Sequence, residues 1–214
     1  MVLFHPKLKG YRIYKDWVSP KWQYIREQLQ IGLPIGSSIF FEASIFSIAG
    51  LLMVHFGSAV VAAHQSVISF TNVFYCLPLS IAMASTIAVG YEVGAGRHKE
   101  AIQYSYISRV LAIVIAVLIC AFTFTHMESI SALFTNDEEV YNLIYGFLGY
   151  GVFFSAFDAI GTPLQGILRG YKDVKIVFYI SLISYWGVCF PIAYILANNP
   201  NYGPFGVWIG LLAS

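Results

Sequence analysis

Two carboxylates stand where hydrocarbon is expected: Glu42 in "SIFFEASIF" (38–46) and Asp158 in "VFFSAFDAIG" (152–161). An ionised group at the centre of a spanning helix costs about 2.5 to 3.5 kcal/mol on insertion scales, so such residues usually face a bundle interior or a wet cavity and mark ion or substrate paths. Apolar neighbours contributing roughly 0.3 to 0.6 kcal/mol each make insertion feasible. They do not explain why the acid is there. No Lys or Arg lies inside any of the apolar runs, so neither carboxylate is expected to have a basic partner within the chain. The charge would then be balanced by a proton, by a metal cation such as Na+, or by a cationic substrate. The structural alternative is a protonated acid bonded to a backbone carbonyl, holding helices together.

The elements that must position these acids are membrane helices. The chain is 58% hydrophobic and 11% charged, less than half the charge of ordinary soluble domains, so an all-α integral membrane fold is expected. Turn and charge clusters place spans at about 31–54, 66–90, 106–125, 141–168 and 176–197. A sixth, 205–214, is too short to cross, since crossing takes roughly 20 residues. The expectation is therefore a fragment with an incomplete last helix. Residues 1–30, rich in Trp, Tyr, Lys and Arg, form a linker and interfacial segment ahead of the transmembrane lobe 31–214.

All 12 Lys and Arg residues fall in the N-terminal arm or beside the loops after the second and fourth spans. This sorting puts the N-terminal segment in the cytoplasm of a multi-pass plasma-membrane protein. Measured from the cytoplasmic span ends, Glu42 and Asp158 lie about 17 and 15 Å deep at 1.5 Å per residue. They share one level near the bilayer midplane.

Helix breakers surround them. Gly32, Pro34 and Gly36 precede Glu42, and Gly161 and Pro163 follow Asp158; Pro34 and Pro163 are candidate hinges, because proline frees a carbonyl and permits a kink. Pro78 and Pro191 interrupt the second and fifth spans. Asn72 and Tyr75 on the second span could supply oxygen or an aromatic face to a cation or substrate, or else act as interhelical hydrogen-bonding groups.

Other classes fall away. A net charge of +1 without a basic patch argues against a nucleic-acid partner. Cys76, Cys120 and Cys189 show neither CxxC nor His-adjacent spacing. "GYEVGAGRH" (90–98) lacks the preceding strand and the Lys-Ser/Thr of a phosphate loop and fits a helix C-terminus better. With HExxH and GxSxG both absent, no enzyme and no cofactor is expected.

"GLPIGSSIFFEASIF", "VAAHQSVISF", "PLSIAMASTIAVGYEVGAG", "ALFTNDEEV" and "ILRGYKD", in this order, resemble the multidrug and toxic compound extrusion (MATE) family, in its NorM-like bacterial branch. The resemblance covers nearly the whole chain and falls in the second half of the family's sequence. It implies one lobe of a two-lobe, twelve-helix antiporter that expels cationic or amphipathic drugs in exchange for Na+ or H+, the N-terminal six-helix lobe being the missing partner. It also implies that Glu42 and Asp158 are the cation site, that Tyr75 matches a tyrosine of the eighth family helix, and that Asp137 matches an acid near the external mouth. Some relatives carry a tyrosine one turn before the second acid, where this chain has Phe154. Two rivals are a lipid-linked oligosaccharide flippase, which needs a basic cavity, and a non-transporting scaffold lobe, whose acids would stay hydrogen-bonded and neutral.

Overall fold

The computed structural model describes Ser19 and residues 21–214. Most of the interfacial segment expected over residues 1–30 therefore lies outside the described residues. The chain divides into two units, Met1–Leu33 and Pro34–Ser214. In the first, the Lys21 carbonyl accepts from the backbone N–H groups of Tyr24 and Ile25 to start the helical hydrogen-bond pattern. Trp22, Tyr24, Leu29 and Leu33 are exposed there.

Among the described residues every regular element is helical: α1 (Trp22–Val54), α2 (Ser58–Gly94), α3 (His98–Phe134), α4 (Glu138–Gly170), α5 (Val174–Ser181), a π-helical segment (Leu182–Cys189), α6 (Phe190–Ala197) and α7 (Pro204–Leu212). Five stretches of the described residues are long and apolar enough to cross a membrane, the fifth being Val174–Ala197 taken as one run. The helices outrun the apolar windows at most ends, because charged and polar residues near a span's end continue its backbone hydrogen bonding without belonging in hydrocarbon. α4 shows how such an end is made. The Asp137 carboxylate accepts from the N–H groups of Glu139 (2.9 Å) and Val140 (3.3 Å), and Glu138 and Glu139 follow in the first turn, where negative charge suits the helix dipole.

Within residues 34–214 the helices meet through small residues. Without a hydrophobic drive between helices in lipid, close approach of backbones is what binds them. Gly166 and Gly170 on α4 lie flat against Ala82, Val89 and Gly90 of α2, and a Cβ at Gly166 would drive into the Ala82 backbone. Thr86 seals this contact by donating to the carbonyls of Ala82 (2.8 Å) and Gly166 (2.9 Å). Gly206 and Gly210 of α7 pack in the same way on Leu196 and Ala193 of α6. Both α4 and α7 thus present a GxxxG face, "GILRG" and "GVWIG". The largest buried side chain, Trp208, stacks on Phe147 at 6.0 Å and meets the His64 ring edge-on at 5.4 Å.

The α1 segment beyond Pro34 behaves differently. It buries Ser38, Ile45, Ala49 and Met53 but touches its neighbours through side chains, with Phe41 against Phe178 (5.6 Å) and Phe46 edge-on to Phe154 (5.7 Å).

Proline placement and helix distortion do not coincide as the sequence suggests. Pro34, Pro78 and Pro163 lie inside continuous helices. The backbone leaves helical geometry at His126 of α3 (φ −121°, ψ 15°), where Thr125 donates to the Ala121 and Phe122 carbonyls and the His126 ring sits 2.9 Å from the latter. Polar side chains inserted into the ladder are a recognised cause of such a bend. The π segment ends with the Phe190 N–H donating to the Tyr185 carbonyl, five residues back. Pro191 follows; it has no N–H for the carbonyl of residue 187 and its ring crowds that turn, so the wider π spacing ahead of it relieves the clash.

Candidate functional site: a paired-carboxylate cavity

Glu42 from α1, Asn72 and Tyr75 from α2, and Asp158 from α4 line one cavity of about 50 Å³, together with Thr71, Ser155, Phe46 and Phe154. Three helices thus bring together residues that are 116 positions apart at the extremes, Glu42 to Asp158. The Tyr75 hydroxyl donates to Glu42 Oε1 at 3.4 Å, and Thr162, one turn past Asp158, donates to Asp158 Oδ1 at 3.0 Å. Among the described residues each carboxylate therefore has one hydroxyl donor, on one of its two oxygens. Asn72 lines the cavity while staying largely exposed.

The donor set is all oxygen: two carboxylates, a phenol, two aliphatic hydroxyls and an amide. Hard monovalent and alkaline-earth cations prefer such ligands, whereas transition metals favour imidazole and thiolate. Among the described residues no three of His, Cys, Asp and Glu come together. A space of this size suits a water or a small cation and is far below the roughly 300 Å³ at which drug-sized pockets begin. Asp158 also opens onto a second cavity of about 570 Å³, lined by Gln165, Ser181, Ser184 and Tyr185 among apolar residues of α4, α5, the π segment and α7. One carboxylate is thus shared between an ion-sized space and a drug-sized one.

The other candidates are placed as follows. Asp137 is exposed and lines neither cavity; its carboxylate is engaged in capping α4. Phe154 lines both cavities and offers a ring where an oxygen could stand. Pro163 is buried in α4 five residues from Asp158, and Pro34 is eight residues from Glu42. "GYEVGAGRH" forms the end of α2: Gly96 adopts φ +74° and the Arg97 N–H donates to the Glu92 carbonyl, a Schellman-type stop. Arg97 pairs with Glu92 and lies over the Tyr91 ring; the bond it donates to the Glu92 carboxylate holds its guanidinium more firmly protonated than usual.

Among the described residues no Lys or Arg forms an ion pair with Glu42 or Asp158; Arg169 stands in the last turn of α4. Helical side chains lean toward the N-terminus of their helix, so a residue in the last turn of α4 leans back along it. Its bond to Gln165, one turn back at 3.3 Å, shows that lean. The sequence reading passed over Thr162, Ser155 and Tyr185. A Thr four residues after an intramembrane Asp is a usable signal. Tyr185 had none, being one of 15 tyrosines and on another helix.

The MatE family profile matches residues 34–195. A probable multidrug resistance protein NorM of Geobacillus kaustophilus is 45% identical over 97% of this chain and 46% of its own length. Its namesake in Streptococcus pneumoniae is 39% identical over 100% of this chain and 47% of its own. The chain spans about half the length of the curated relatives it matches. Among solved structures, the eukaryotic MATE transporter AtDTX14 superposes with a TM-score of 0.89 at 24% identity, over 99% of this chain and 47% of its own. The Vibrio cholerae MATE transporter VcmN gives 0.83 at 20%, over 96% and 48%. At these identities the likeness is one of fold.

Proposed function

This chain belongs to the MatE family of multidrug transporters, and from that premise we propose that it works as the C-terminal lobe of a secondary active exporter of cationic or amphipathic compounds. Glu42 and Asp158 bind the coupling cation, Na+ or H+, with Tyr75 and Asn72 beside them. Binding biases inward- and outward-open states, which requires that the cation hold one state more tightly than the other. The observation that carries this reading is the shared cavity: two carboxylates from separate helices, each with a hydroxyl donor, around a space the size of one ion.

The drug would meet the site from the larger cavity, through Asp158. Pro34 and Pro163 are the proposed flexing points, and Asp137 a surface acid near the outer mouth. The N-terminal segment lies in the cytoplasm and the lobe in the plasma membrane, in contact with lipid and with an N-terminal lobe. Multidrug resistance is the function named for the relatives, and a catalytic role has no support in the site's composition. A flippase of phosphate-bearing lipids would want a basic cavity, and neither cavity is lined by Lys or Arg.

The test is Glu42→Gln and Asp158→Asn in the full-length, two-lobe protein reconstituted in vesicles. Ethidium efflux driven by an imposed sodium or proton gradient should fall at least tenfold in each, a loss of about 1.4 kcal/mol or more in transition-state terms. Undiminished efflux in both removes the assignment.

A further inference from the structure

α3 carries a charge well inside its length. Arg109 stands 11 residues past His98, the first residue of the helix, which is about 16 Å along it at 1.5 Å per residue. It is exposed, and the spacing of helical turns puts it on one face with Lys99, Ile102, Tyr106 and Ile113, all of them exposed as well. The side of α3 that Ser108 occupies is fixed to α2, where the Ser108 hydroxyl accepts from Ser85 at 2.7 Å. That contact holds the next residue, Arg109, outward. Among the described residues Arg109 has no ion-pair partner. Of the acids on α3, Glu100 is nine residues away, about two and a half turns and hence the opposite face, and Glu128 is 19 residues away.

The side chain resolves its position by running back along the helix: its Nε donates to the Ser105 carbonyl at 3.3 Å. An Arg on a lipid-exposed face behaves in this way, laying its stem on apolar surface and reaching for the headgroups. The bond uses one of the group's five N–H donors. Lys99 stands nearer the start of the same face, Tyr106 lies between the two cations at the level where tyrosines gather at a membrane surface, and the exposed Ile113 and Val117 follow deeper in α3. Cations above an apolar strip, with no acid on that face, complement a phosphate that carries acyl chains.

We propose that this face of α3 holds an anionic phospholipid, with its phosphate on the Arg109 guanidinium, Lys99 adding positive charge at headgroup level and the chains lying along Ile113 and Val117. The planar fork of Arg suits phosphate oxygens. Because the same turn docks on α2 through Ser108, the bound lipid braces the α2–α3 pair. The proposal is independent of how Glu42 and Asp158 are used.

The experiment is thermal melting of the purified full-length protein in detergent, titrated with dioleoyl phosphatidylglycerol or with dioleoyl phosphatidylcholine. The anionic lipid should raise melting more than the zwitterionic one. Arg109→Gln should need about fivefold more phosphatidylglycerol for half of its shift, the factor that one basic residue near a membrane surface contributes. Tyr106→Glu, which sets a competing carboxylate one turn before Arg109, should raise the requirement at least as much and supplies the readout if Arg109→Gln fails to fold. Lys175→Gln, which loses the same charge from an exposed position on α5, should stay within about twofold of the unsubstituted protein. Equal responses to the two lipids, an unchanged requirement in Arg109→Gln, or an equal rise in Lys175→Gln, the mark of diffuse surface charge, would overturn the proposal. So would sodium phosphate alone stabilising the protein as phosphatidylglycerol does, since that marks a free-anion site.

Discussion

At the scale of single residues, the cavity's chemistry is set by how many oxygens it offers. Phe154 presents a ring to the space beside Asp158, so Phe154→Tyr should add a ligand and tighten the sodium response by about tenfold or more, as the roughly 1.5 to 3 kcal/mol range of hydrogen bonds to charged groups implies. Sodium-dependent melting measures this, and an unchanged midpoint would take residue 154 out of the ligand wall. Thr162→Val removes the donor to Asp158 Oδ1 while keeping the side chain's shape, and should slow ethidium efflux by about three- to tenfold with expression unaltered. Equal efflux would show that the bond is incidental. Glu42 and Asp158 were legible in the sequence because a charge amid hydrocarbon is conspicuous. Asp137, singled out by resemblance, is an N-cap here, a role that an Asp followed by Glu-Glu at a helix start announces on its own.

Among the elements, α2 and α4 form the part that should not move. Gly166 and Gly170 press against the α2 backbone, so Gly166→Val must force the helices apart, at an overpacking cost of about 1 to 3 kcal/mol or more. The purified protein should melt several degrees lower, whereas Gly149→Ala, which has open space around it, should leave melting unchanged. Equal melting of the two variants would contradict the packing argument. This contact is readable in principle from "GILRG", since GxxxG in an apolar helix is a packing signature. Pro191 marked the distortion of the fifth span in the sequence, whereas the bend at His126 was not readable. Both depend on where the chain finds substitute partners for ladder bonds, and prolines of the same type at 34, 78 and 163 leave their helices continuous. A proline fixes the loss of one bond, and the neighbours decide whether the helix bends.

For the whole molecule, the chain matches about half of the length of its curated relatives and superposes on about half of a MATE transporter chain. The all-helical membrane fold followed from composition and apolar windows, since 11% charge leaves few surfaces for water. With drug passage between two lobes, as proposed, the chain of residues 1–214 should insert into membranes yet move no ethidium by itself. Vesicles containing it should show background efflux only, and active efflux from this chain alone would refute the two-lobe requirement. The claim underneath is that Glu42 and Asp158 exchange a mobile cation. Infrared difference spectroscopy on the full-length protein, recorded as sodium or acid is added, reads it directly. Carboxyl bands should change with the cation and lose that change in Glu42→Gln combined with Asp158→Asn; bands that ignore the cation, or that change equally in the double variant, would contradict it.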